Sequence, residues 1–272
     1  MLRGMKPWLP FLRAALLLAT VAPSPAIAAD LVPHEARYDL SLLELRSADK
    51  GSASGLFLVR IERTCDGWTH ASELQVKLET ESGGSSVLQS RSTFRETIAE
   101  DGAAGTLDFR QQQMLNNSPI SDVRGEATRG PEGGTVRYSK PARRQAKLPP
   151  GVEFPTSGWI ESLRRLYDGE RLVRQTIFDG GEEGALLAVD LIAGTPEPPD
   201  GPVRGDAGLL SGEMLRTVTA FYPLDEPDSE PMTSYVSDLY DNGVTVRLSI
   251  DVGLALVDAE LRAIRRLPEP EC

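Results

Sequence analysis

Few residues in this chain are equipped for chemistry. It has two cysteines, Cys65 and Cys272, and two histidines, His34 and His70. A zinc site built from Cys and His wants four ligands, so this inventory argues against one. Ser47-Ala48-Asp49-Lys50 matches the S-x-x-K string of penicillin-binding enzymes. That chemistry sets Ser and Lys on one helical turn and needs S-D-N and K-T-G partners. Neither partner occurs, and the local sequence reads as a strand end and turn. A Ser-His-Asp hydrolase would have to use His34 or His70 as its base, and no G-x-S-x-G elbow is present. His34 stands near the start of the expected mature chain, where termini are often mobile. His70 follows Trp68 in a strand candidate, where a partly buried His with one partner is the ordinary outcome.

Asp225, Glu226, Asp228 and Glu230 offer oxygen ligands of the kind calcium prefers. Their spacing is not that of an EF-hand, and Pro227 and Pro231 break the stretch, so a solvated acidic loop is the simpler reading. Arg143, Arg144 and Lys147 could meet an anion, but they read as a solvated basic connector over 140–147. Trp68, Trp159, Tyr235 and Tyr240 read as core or rim aromatics, one or two of which could line an apolar groove. No cofactor motif is present, and no catalytic residue is assigned.

Export explains the cysteines best. Arg3 and Lys6 precede an apolar run from Leu9 to Ala22, and Ala26-Ile27-Ala28 offers small residues for cleavage. Residues 1–29 therefore read as a secretory signal peptide and 30–272 as one mature domain, soluble and periplasmic. No second apolar stretch reaches membrane length. An even cysteine count in an exported chain suggests a disulfide. Two free buried thiols, or a zinc pair completed by other ligands, are the alternatives. A bridge would close 207 positions and contribute about 5 kcal/mol in the chain-entropy account.

Hydrophobic residues make up 40% of the chain, which rules out wholesale disorder. The mature part carries 26 basic and 40 acidic residues, a formal net charge of −14. A body this acidic is a poor general binder of nucleic acid or anionic membrane. Alternation dominates the pattern. Val244, Val246, Leu248, Ile250 and Val252 alternate with Thr245, Arg247, Ser249 and Asp251 as a half-buried strand does. Further strand candidates are 36–46, 56–62, 70–80, 86–99, 104–113, 134–139, 171–178, 184–193, 214–222 and 234–240. Asp241-Asn242-Gly243 suggests a two-residue hairpin turn with positive φ at both central positions. Asp179-Gly180-Gly181 reads as another turn, and 194–208 and 224–231 read as exposed loops. One helix is predicted, capped by Thr156 or Ser157, with Trp159, Leu163 and Leu166 on one face and Gly169 as its stop. The tail 254–267 fits helix or strand spacing. The fold class is all-β, a large antiparallel sheet with one short helix.

Three stretches together resemble the EipB-like cell-envelope integrity family of alphaproteobacteria. They are His34-Glu35-Ala36-Arg37-Tyr38-Asp39-Leu40 with Cys65-Asp66-Gly67-Trp68; Phe154-Pro155-Thr156 with Gly169-Glu170 and Phe178-Asp179-Gly180; and Leu239-Tyr240-Asp241-Asn242-Gly243-Val244 through to Cys272. The resemblance implies a periplasmic protein whose antiparallel strands wind into an open spiral or cup, similar in outline to the half-barrels of Lol-type lipoprotein carriers. It implies a disulfide between Cys65 and Cys272 and a tail that ends as a strand. The chain departs from the family pattern at Ser157-Gly158-Trp159, where a polar residue or His is expected, so no role of such a His carries over. The family implies no catalytic residues. The expected function is non-enzymatic support of the cell envelope, through binding an apolar peptide or lipid segment, or a periplasmic protein partner, in a concave sheet. An envelope hydrolase acting on glycan or ester and a purely structural scaffold are the alternatives.

Overall fold

The computed structural model describes residues 31–46, 50–99, 102 and 104–272. The predicted signal peptide and the Ser47-Ala48-Asp49 part of the S-x-x-K string lie outside the described residues. The described chain is strand after strand: β1 (His34–Leu45), β2 (Gly51–Thr64), β3 (Gly67–Thr80), β4 (Ser85–Ile98), β5 (Gly105–Leu115), β6 (Ser118–Gly130), β7 (Gly133–Lys140), β8 (Arg144–Leu148) and β9 (Val152–Glu153). One helix, α1 (Pro155–Tyr167), follows. Then come β10 (Leu172–Ile177), β11 (Leu186–Ile192), β12 (Arg204–Gly205), β13 (Met214–Pro223), β14 (Thr233–Tyr240), β15 (Thr245–Asp251) and β16 (Ala255–Arg266).

These strands form one sheet, in the order β8-β7-β6-β5-β4-β3-β2-β1-β16-β15-β14-β13-β11-β10-β9. Neighbours are antiparallel except for two short parallel pairs, β9 with β10 and β12 with β16. The two ends of the sheet nearly meet, giving a barrel-like shape. The loop after β10 reaches across to β5–β8: Phe178 packs on Phe109 with ring centroids 5.4 Å apart, and the Tyr138 hydroxyl donates to the Gly181 carbonyl at 2.7 Å.

Alternation explains most of the strands. In β3, Leu74, Val76 and Leu78 are buried while Glu73, Gln75, Lys77 and Glu79 face solvent. The tail is a strand because Ala255, Val257, Ala259 and Leu261 are all fully buried between β1 and β15. β6 escapes the sequence pattern, because its inward residues include small or polar ones and it carries Pro119 and Gly125. Its turn is legible in hindsight. Asn116 and Asn117 both have positive φ, 50° and 63°, as a type I′ turn requires, and Leu115 pairs directly with Ser118.

Several expectations are corrected. The Asp241-Asn242-Gly243 turn is a three-residue loop: Tyr240 N–H donates to the Val244 carbonyl, Gly243 N–H to the Tyr240 carbonyl, and only Gly243 is left-handed (φ 81°). The basic connector 140–147 contains an edge strand, β8, whose exposed Arg144, Gln145 and Lys147 suit an unpaired edge. The loop 194–208 carries β12 and runs into a short 3-10 turn at Ala207–Leu209, whose Leu209 is buried. Helix α1 starts before its expected caps, with Phe154 in the preceding position and Pro155 opening the first turn. Its free amides at Thr156 and Ser157 donate instead to the carboxylate of Glu96 on β4, at 2.9 and 3.2 Å. Glu96 is fully buried. Burial pushes its carboxyl up, and its bonds to Ser157 and Thr156 and the Arg129 charge pull it back. This contact fixes α1 across the concave face of the sheet.

Candidate functional site

α1 turns Trp159, Ser162, Leu163 and Leu166 towards the inner face of the sheet, and a cavity of about 420 Å³ remains beneath it. That volume falls within the usual range for small-molecule pockets. Two walls enclose it. The first comes from β1–β5. His34, Ile61, His70 and Phe94 stand in one cross-strand row on β1, β2, β3 and β4. Tyr38, Phe57, Val59, Ser90 and Ser92 continue the surface. The second wall comes from β10–β15, where Ile177, Ala188, Phe221, Leu239 and Leu248 alternate with a polar patch.

The polar patch centres on Asp190 of β11. The Ser162 hydroxyl from α1 donates to one carboxylate oxygen and the Thr219 hydroxyl from β13 to the other, each at 2.6 Å. Thr217 and Ser237 pair hydroxyls at 2.9 Å on the next row. Gln175 of β10 donates its amide to the Gly158 carbonyl at 3.0 Å, while its Oε1 is buried with no hydrogen-bond partner among the described residues. Asp179 holds the turn after β10 by accepting from Gly181 N–H at 2.8 Å, and burial raises its pKa.

Both histidines line this cavity, although they lie 36 positions apart. His34 is not at a mobile end. It is 1% exposed, and its Nδ1 lies 2.8 Å from the Val32 carbonyl. His70 faces the Phe94 ring, centroids 6.1 Å apart, and no hydrogen bond to it is found among the described residues. Burial pushes its pKa down to about 4, assisted by the nearby His34. Burial lowers His34 as well, against its backbone contact. Two imidazoles that burial disfavours in the charged form, together with hydroxyls and carboxyl groups, give this largely apolar cavity a few oriented polar groups. Among the described residues no side-chain hydroxyl is hydrogen-bonded to either imidazole.

The other candidates fall elsewhere. Cys65, in the turn between β2 and β3, is joined to Cys272 by a disulfide with the Cα atoms 5.7 Å apart. It lies away from the cavity. The acids at 225–230 are exposed on the β13–β14 loop, and no group of three metal-ligating side chains comes together among the described residues. Arg144 stacks over Tyr138, 3.8 Å from the ring centroid, and donates to the Glu182 carbonyl, which helps to hold the β10–β11 loop. Trp68 is core, whereas Trp159 and Tyr235 line the cavity. Sequence reading missed Asp190, Thr219, Ser162 and Gln175. The available signal was hydroxyl residues at inward positions, such as Thr217, Thr219 and Ser237.

A nearly closed, curled sheet crossed by one helix over an apolar cavity defines a barrel-like β protein. The chain matches the EipB-like family over residues 25–268 and belongs to that family. It is 27% identical over 240 residues to the cell envelope integrity protein EipB of Brucella abortus (strain 2308), covering 85% of this chain and 83% of the relative. Its fold is similar to the crystal structure of a beta-barrel-like protein of a domain of unknown function from Brucella abortus. There the TM-score is 0.75 at 21% identity, over 88% of this chain and 99% of the other.

Proposed function

We propose that this is a non-enzymatic periplasmic protein that supports cell-envelope integrity by holding one apolar chain, from a lipid or an exported segment, in the cavity under α1. The hollow itself carries the reading. Polar inner positions on β11, β13 and β14 leave space where large apolar side chains would have filled it, and the remaining lining is mostly apolar. Burying an alkyl chain there is favourable by roughly 0.8 kcal/mol per methylene before ordering costs. The envelope setting rests on the expected leader and on the name of the Brucella relative.

The test uses the exported chain and a neutral apolar dye, N-phenyl-naphthylamine. Its fluorescence should rise on mixing, and Trp159 emission should change with it, because Trp159 is at the cavity wall. Saturable binding below about 100 μM supports the reading, at a free energy of roughly 5 kcal/mol or more. No binding would leave the scaffold alternative.

A further inference from the structure

The cavity is chemically one-sided, and its polarity, taken together with the binding reading above, specifies the head group. Three acceptors sit on the β10–β11 hairpin: the carboxylates of Asp179 and Asp190 and the orphan Oε1 of Gln175. Among the described residues Asp190 receives two hydroxyl donors and no cation. Its oxygens retain lone-pair sites for further donors. Among the described residues lining the cavity there is no lysine or arginine. The facing wall offers His34 and His70, which burial holds towards the neutral form.

A buried charge needs a partner. A carboxylate or sulfate head drawn in behind its chain would meet the acceptor oxygens of Asp190, Asp179 and Gln175 and, among the described lining residues, no lysine or arginine. A protonated amine would meet acceptors that the protein leaves incompletely used. We propose that the cavity selects a single-chain amphiphile with a protonated amine head over the anionic analogue of the same chain length.

Three decyl compounds separate the head from the chain. Decylamine, decanol and decanoate are titrated against the dye-loaded protein at about pH 7, where the amine is protonated and the acid ionised. Decylamine should displace the dye at a concentration at least about tenfold lower than decanoate, with decanol between them. Asp190→Asn keeps both hydroxyl contacts possible and removes the charge. It should shrink the amine-to-acid gap several-fold. Asp179→Asn and Gln175→Leu provide the same comparison if that variant does not fold. Decanoate competing as well as decylamine, while decanol still binds, overturns the head-group preference and leaves the binding reading standing. Failure of the dye and of all three chains overturns both.

Discussion

The same curled sheet is packed solid at one end and hollow in the middle. At the closed end, Phe109, Tyr138, Phe154 and Phe178 interlock edge to face, with centroid separations of 5.4 to 6.5 Å. Phe154 and Phe178 are fully buried. In the middle, many inward positions are occupied by Ser90, Ser92, Thr217, Thr219, Ser237 and Ala188, which are too short to meet across the sheet. Backbone curvature is shared, so the difference is one of side-chain volume. The packed end closes the sheet, and the middle is left hollow.

The packed end should therefore be the more costly to disturb. Phe178→Ala removes a ring in contact with three others and leaves a void that the neighbouring strands cannot collapse into. A loss of about 4 kcal/mol is expected in denaturant unfolding. A loss below about 1 kcal/mol would mean that the rings do not close the sheet.

Next comes the bridge. Cys65 sits on the turn of the hairpin β2–β3, whose residues Phe57, Ile61 and His70 wall the cavity, and Cys272 ends the chain just beyond β16. Cys65→Ser and Cys272→Ser should each lose roughly 3 kcal/mol, because each removes the same constraint. Oxidised wild type should run ahead of reduced protein on a non-reducing gel. Two titratable thiols in the oxidised protein, or unequal effects of the two variants, would contradict this.

Much of this comparison was legible beforehand, and the exceptions have physical causes. Regular alternation marked β3, β15 and most of the other long strands. Residue spacing left the tail open between helix and strand, and the family resemblance turned it to strand. β6 was hidden because its buried positions are few, Val123, Ala127 and Arg129, within a polar stretch containing Pro119. Glu96 as the partner of the α1 amides was invisible, since it lies 60 positions from Thr156 and any acid would look the same in sequence. The cavity was hidden for a related reason. A serine facing inward is distinguishable from a serine facing water only once the register of neighbouring strands is known.

The hollow wall should also be the acid-sensitive one. His70 is held neutral in the fold, its pKa lowered from 6.5 to about 4. The unfolded chain takes up a proton near 6.5, so it binds more protons than the native state between the two values. Stability is fully present above about 6.5 and is lost as pH falls towards 4. His34 acts in the same direction. His70→Phe, which adds an apolar ring beside Phe94, should show a smaller loss over that interval than wild type. Equal pH slopes in the two proteins would show that His70 is solvated.

The smallest effect on stability should come with the clearest effect on the cavity. Ser90 lies on β4 opposite Leu74 of β3 and Gln113 of β5, with its side chain at the cavity wall. No side-chain hydrogen bond to it is found among the described residues, so replacing it strands no partner. Ser90→Leu puts an apolar side chain into space that is already there, beside an existing leucine. Overpacking costs about 1–3 kcal/mol when a site is full, and the gain from burying the new surface is of similar size. In a hollow site the first term is small, so stability should stay within about 1 kcal/mol of wild type. Dye affinity should nevertheless fall by about tenfold, because the added side chain occupies the ligand's volume. A large loss of stability with unchanged dye binding would mean that Ser90 faces packed protein and that the cavity lies elsewhere. Unchanged stability with unchanged binding would place the dye outside the sheet.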